Sequence, residues 1–97
     1  MKEQLLYLCN DLKFNNNVLD IGFELLNRLK HKNITLSKTG NDEILIYSEK
    51  EGRFYNLLLD EDGDISFLLI GVHMKETKTE FFSSEKPIDY DYICSLI

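Results

Sequence analysis

The sequence predicts an α+β fold: about five antiparallel strands in a meander, with two N-terminal helices and one C-terminal helix packed on one face. Three observations carry that expectation. Apolar residues up to about Leu29 recur at helical spacing, and from Ile34 the apolar period changes to two. In mid-chain, Arg53–Val72 reads as two apolar arms joined by an acidic tight turn, Asp60–Gly63.

The helices follow from spacing. Leu5, Leu8, Cys9 and Leu12 fall at i, i+3, i+4 and i+7, which predicts a short amphipathic helix over 3–13. The Asn15-Asn16-Asn17 run breaks it. Asn17 is expected to cap the next helix, with Asp20 near the positive end of its dipole. Val18, Ile21, Leu25 and Leu29 line one stripe of that helix, widened by Phe23 and Leu26. Arg28, Lys30, His31 and Lys32 suit its last turn, and Asn33 a left-handed stop. Gly22 in the middle costs about 1 kcal/mol against alanine, which a close approach of helix to sheet would explain.

Ile34, Leu36 and Lys38 alternate with Thr35 and Ser37, the pattern of a half-buried strand. Turn residues at 39–42 precede a second strand, Glu43–Ser48, and Glu49–Gly52 turns the chain into the central hairpin. The arms of that hairpin are nearly continuous in apolar residues, so cover is expected on both faces or heavily on one. A polar loop, His73–Lys78, leads to a short strand, Thr79–Phe82. Pro87 suits the first turn of the closing helix, preceded by Ser83 or Ser84, with Ile88, Tyr92, Ile93 and Leu96 as its stripe. Short connections make consecutive strands pair in order.

Ninety-seven residues suit a single domain spanning 1–97. The longest apolar run, Phe67–Ile70, falls far short of the ~20 residues that cross a bilayer, and the N-terminus lacks a secretory apolar region. The expectation is a cytoplasmic protein in which Cys9 and Cys94 are reduced, buried thiols. Net charge is −6 and uneven. Residues 1–41 carry six Lys/Arg and four Asp/Glu, a net of +2, whereas residues 42–97 carry five and thirteen, a net of −8. Such acidity opposes general phosphate-backbone binding, which needs a cationic face. It suits a soluble protein, or one whose partner is basic.

Asp60-Glu61-Asp62-Gly63-Asp64 opens like a calcium loop at its first, third and fifth positions. The match then fails: the sixth position, where glycine is needed, is Ile65, and the twelfth, where glutamate is needed, is Gly71. No metal or cofactor is assigned. Asp60, Glu61, Asp62 and Asp64 instead form a turn whose acidic tip is the candidate contact for a basic patch on a partner. Reversing all four is expected to abolish that contact and leave the melting temperature nearly unchanged. His31 and His73 stand alone, without metal-ligand spacing. A nuclease-like set of Asp42 with Glu49-Lys50-Glu51 has its Glu and Lys adjacent instead of one residue apart. No catalytic residues are assigned, and the chain reads as a non-enzyme. Arg28, Lys30 and Lys32 are the candidate nucleic-acid contacts within the basic segment 28–38, which lacks interleaved aromatics. Tyr90 and Tyr92 with Asp89 and Asp91 have the composition of a protein interface.

Asp62-Gly63-Asp64-Ile65-Ser66-Phe67, Thr79-Glu80-Phe81-Phe82 and the closing Ile93, Leu96 and Ile97 carry a resemblance. Over roughly residues 20–97 the chain resembles a widespread group of small uncharacterised bacterial α+β domains with a D-G-x-I strand turn. That group often has a tryptophan in the second strand, where this chain has Tyr47. The resemblance implies the fold and no activity. The leading functional expectation is a small acidic binding protein of the inhibitor, immunity or antitoxin kind, including phage-type anti-defence proteins, that covers a partner surface such as the basic groove of a nuclease. The alternatives are a module that self-associates through a sheet edge, Ile34–Lys38 or Thr79–Phe82, and an RNA-contacting regulator.

Overall fold

A computed structural model describes residues 1–71 and 76–97. Val72 and the first half of the loop expected over 73–78, His73 included, lie outside the described residues. The element order is α1 (Lys2–Asp11), α2 (Asn16–Leu29), β1 (Thr35–Lys38), β2 (Ile44–Lys50), β3 (Arg53–Leu59), β4 (Ile65–Ile70), β5 (Lys78–Phe82) and α3 (Tyr90–Ser95). The five strands form one antiparallel sheet in chain order, β1 to β5, as short hairpin connections require.

Register sorts the strand residues into two faces. On the inner face, Leu36, Ile46, Leu57 and Phe67 form one row across the sheet and Ile44, Leu59 and Ile65 the next. All seven are buried, and they join Leu5, Leu8, Cys9, Val18, Leu25, Leu26, Leu29, Ile93 and Cys94 from the three helices in one core. The helices therefore cover one face only. The apolar stripe predicted for α2 is the one that faces the sheet: Val18, Leu25 and Leu29 are buried and Ile21 packs against the core.

The helix ends differ from expectation. Asn15, not Asn17, caps α2, its Oδ1 accepting the Val18 N–H at 3.0 Å; Asn17 lies inside the helix. An asparagine run offers three possible caps, and the one three residues before an inward-facing valine is used. Asn33 does not stop α2 in the left-handed region. Lys30 follows Leu29 in right-handed geometry, and the Lys32 N–H closes on the Leu29 carbonyl at 2.9 Å. Pro87 precedes α3 instead of opening it, because Asp89 takes the cap position and accepts the Tyr92 N–H at 3.1 Å.

Gly22 does mark a close approach, but of helix to helix. A Cβ there would lie 2.9 Å from Leu5 Cδ2, so the missing side chain lets α1 lie against α2. Leu5 is itself fully buried and has nowhere to retreat. Gly22→Val is expected to lower stability by about 1–3 kcal/mol through overpacking, read as a fall in thermal midpoint.

Cys9 and Cys94 are both buried free thiols. Burial raises the pKa of each and pushes the Cys94 thiol up to about 11, with its Sγ 4.0 Å from the Leu25 carbonyl. At pH 8 its thiolate fraction is then about 100-fold below that of an ordinary exposed cysteine. An aromatic disulfide reagent should leave both thiols largely unreacted in the native protein and titrate two per chain in denaturant. Rapid native labelling of either would contradict the packing described.

Candidate functional site

Two hairpin loops of five residues each, 39–43 and 60–64, connect β1 to β2 and β3 to β4. Because Ile44 pairs with Leu59, the loops lie side by side at one end of the sheet. They share one device. Thr39 Oγ1 accepts the N–H groups of Asn41 and Glu43, both at 3.2 Å. Asp60 Oδ1 accepts those of Asp62 and Asp64, at 2.9 and 3.0 Å. In each loop the first residue thus satisfies amides two and four residues on, and a backbone bond closes the loop: Thr39 N–H to Glu43 carbonyl, Asp60 N–H to Asp64 carbonyl.

Left-handed backbone completes each loop, at Asp42 (φ 58°) and Gly63 (φ 82°). Asp tolerates that region better than most residues. Glycine is needed at 63 for a second reason, since a Cβ would meet Ile21 Cδ1 of α2 at 2.9 Å. The acidic loop is tied to the rest of the fold at its other end too, where Asp64 Oδ1 accepts the Ser84 N–H at 2.7 Å.

This placement divides the predicted site. Asp60 and Asp64 hold the loop, whereas Glu61 and Asp62 are exposed at its tip. Reversing all four therefore cannot leave the fold untouched, contrary to the expectation from sequence. The structure adds two acids that sequence separation hid: Asp42 and Glu43 line a shallow depression together with Asn41, Asp60, Glu61 and Asp62, and no cation lines it. Lys38, the nearest strand-end cation, is paired with Asp11 at 2.8 Å. Carboxylate oxygens of Asp60, Asp62 and Asp64 lie within 4.8 Å of one another, a spacing that could serve a hard cation. Asp60 and Asp64 each already direct an oxygen to backbone amides, and β4 begins at Ile65, so the following residues do not wrap round the three carboxylates.

The other candidates are scattered. Arg28 is engaged within the protein, paired with Glu24 and Asp91 (the latter at 2.9 Å) and stacked over the Tyr90 ring at 5.1 Å. Lys30 and Lys32 flank a groove of about 410 Å³ floored by Leu26, Leu29 and Ile34, with no aromatic lining it. Asp42 lies in the loop before β2 and Glu49 near the strand's far end, with the ~16 Å from Ile44 to Glu49 between them, and the two do not form one site. Tyr92 donates its hydroxyl to Glu80 at 2.8 Å and packs edge-on to Phe82, while Asp89 caps α3. The aromatic and acidic residues of 89–92 thus tie α3 to β5 and α2. His31 is exposed after α2, and His73 is outside the described residues.

What sequence reasoning missed is the outer face of the sheet. Its rows are Ser37, Leu45, Leu58, Ser66 and Phe81; Thr35, Tyr47, Asn56, Leu68 and Thr79; and Glu49, Phe54 and Ile70. None of its apolar residues packs against the core, and Phe81 is 64% exposed. The signal was present in the nearly continuous apolar arms of the central hairpin, which imply an apolar second face.

No family model, no curated protein and no solved structure matches this chain. No described helix is long and apolar enough to cross a membrane.

Asp60→Ala should destabilise the protein by about 1–2 kcal/mol, since two loop amides lose their acceptor. Glu61→Ala and Asp62→Ala should leave the thermal midpoint unchanged within error. Equal effects from all three would refute the division of roles.

Proposed function

We propose that the protein is a non-catalytic acidic binding module that covers a basic surface on a partner protein, in the manner of an inhibitor, immunity protein or antitoxin. The observation that supports this reading is the cation-free depression where two similarly built loops bring together Asp42, Glu43, Asp60, Glu61 and Asp62. Five carboxylates on short, hydrogen-bonded loops form a preorganised anionic surface, and little loop entropy is lost when such a surface binds. Charge complementarity of this kind accelerates encounter with a cationic groove such as that of a nuclease. The two cysteines offer no comparable support for nucleophilic catalysis, since both are buried and burial raises the pKa of each.

The test uses a double charge reversal, Glu61→Lys with Asp62→Lys, which spares the loop-holding Asp60 and Asp64. Affinity capture from the native host should return a basic protein with the wild-type chain, released as salt rises from about 0.05 to 0.5 M. The reversed variant, equally stable, should fail to capture it. Capture undiminished by the reversal would reject the acidic end as the contact surface.

A further inference from the structure

We infer that the outer face of the sheet is the contact between two copies of this chain, packed sheet against sheet about a two-fold axis. This surface is distinct from the acidic end and does not depend on its role.

The face is nearly uncharged in a chain with 29% charged residues. Of its thirteen residues only Glu49 is ionisable near neutrality, and it sits at a corner. Leu45, Leu58, Leu68, Ile70 and Phe81 supply aliphatic and aromatic surface, and Tyr47 and Phe54 stack at 6.2 Å. Asn56 adds little polarity, because its Nδ2 donates to the Leu68 carbonyl at 3.1 Å. Contiguous apolar surface of this kind on a soluble domain marks an interaction site.

Charge and area identify the occupant. A face with almost no charge offers no complement to a charged partner surface, yet it complements itself. A chain of net charge −6 repels its own copies through most of its surface, and this face, with Glu49 its one carboxylate, is where they meet the least repulsion. A two-fold lying across the strands reverses them, so that each acidic end meets an end where Lys32 and Lys50 offset Glu49 and Glu51 and Arg53 is paired with Glu76 at 2.9 Å. Five strands at ~4.8 Å spacing and three residue rows at ~6.6 Å give a footprint of roughly 24 by 20 Å. With side-chain relief, that approaches the ~800 Å² per partner of a standard interface. Aligned packing of two such faces is an ordinary β-sandwich contact.

The sheet edges are poorer candidates. β1 has four residues, and Gln4 of α1 donates to its Leu36 carbonyl at 3.0 Å, so α1 lies against that edge. β5 has five residues and carries Lys78 and Glu80, charges of the kind that discourage edge pairing.

Light scattering coupled to gel filtration, from about 1 to 300 μM, is expected to show a species of twice the 11.4 kDa chain mass that dissociates on dilution. Leu68→Lys, at the centre of the face, should remain folded by circular dichroism and weaken association at least tenfold. Thr79→Cys, exposed in the middle row where the two-fold sets it opposite its own mate, should be joined into a covalent dimer by a short bis-maleimide; the same thiol placed at Glu61 should not. This arm decides the matter if the lysine variant fails to fold. A monomer throughout the range overturns the inference and leaves the face to some other occupant. A dimer that persists in folded Leu68→Lys, or a Thr79→Cys chain that does not cross-link, overturns it as well.

Discussion

Two rows of side chains crossing the sheet, Leu36–Ile46–Leu57–Phe67 and Ile44–Leu59–Ile65, hold the molecule together by sealing against α1, α2 and α3. At roughly 25 cal/mol per Å² of apolar area, burial of these rows is the dominant favourable contribution to folding. The seal is tight where the helices cross. Gly22 exists to let Leu5 of α1 reach under α2, and Gly63 to let Ile21 reach the loop between β3 and β4. Among the described residues this one-sided packing leaves exposed the loop ends, the edges and the second face of the sheet, along with the outer sides of the helices.

The loop ends inherit their character from strand pairing. Once β2 and β3 are in register, the loops 39–43 and 60–64 must emerge together, and their acids become neighbours whatever their separation in sequence. Repulsion among those carboxylates is tolerated because two of them work inside the loop: Asp60 orders it, and Asp64 ties it to Ser84. The same residues therefore serve fold and surface, with Glu61 and Asp62 left for the surface alone.

Elsewhere the polar groups are largely directed inward. Arg28 gathers Glu24, Asp91 and Tyr90, which fastens α3 to α2, and Tyr92 reaches from α3 to Glu80 on β5. Exposed ion pairs of this sort contribute little each, but they orient a helix of only six residues that could not stand alone. Lys38 with Asp11 and Gln4 with Leu36 do the same for α1 against β1. The positive charge of the first third of the chain is thus partly neutralised within the molecule, and segment charge was a poor guide to its surface.

The sequence by itself determined the class, order and approximate limits of all eight elements, because hydrophobic period and turn chemistry are local properties. It also marked Asp60–Asp64 as an acidic turn and both cysteines as buried. It did not select the cap of α2 among three asparagines, or place Pro87 outside α3, since those choices depend on which side chains must face the core. It could not show that Asp42 and Glu43 join the acidic turn, that Arg28 is enclosed by acids, or that the helices pack on one face of the central hairpin and not on the other. Those are facts of which strand lies beside which and which face the helices take. Only the tertiary structure decides them, because contacts between residues distant in the chain are set by shared burial and not by the local period.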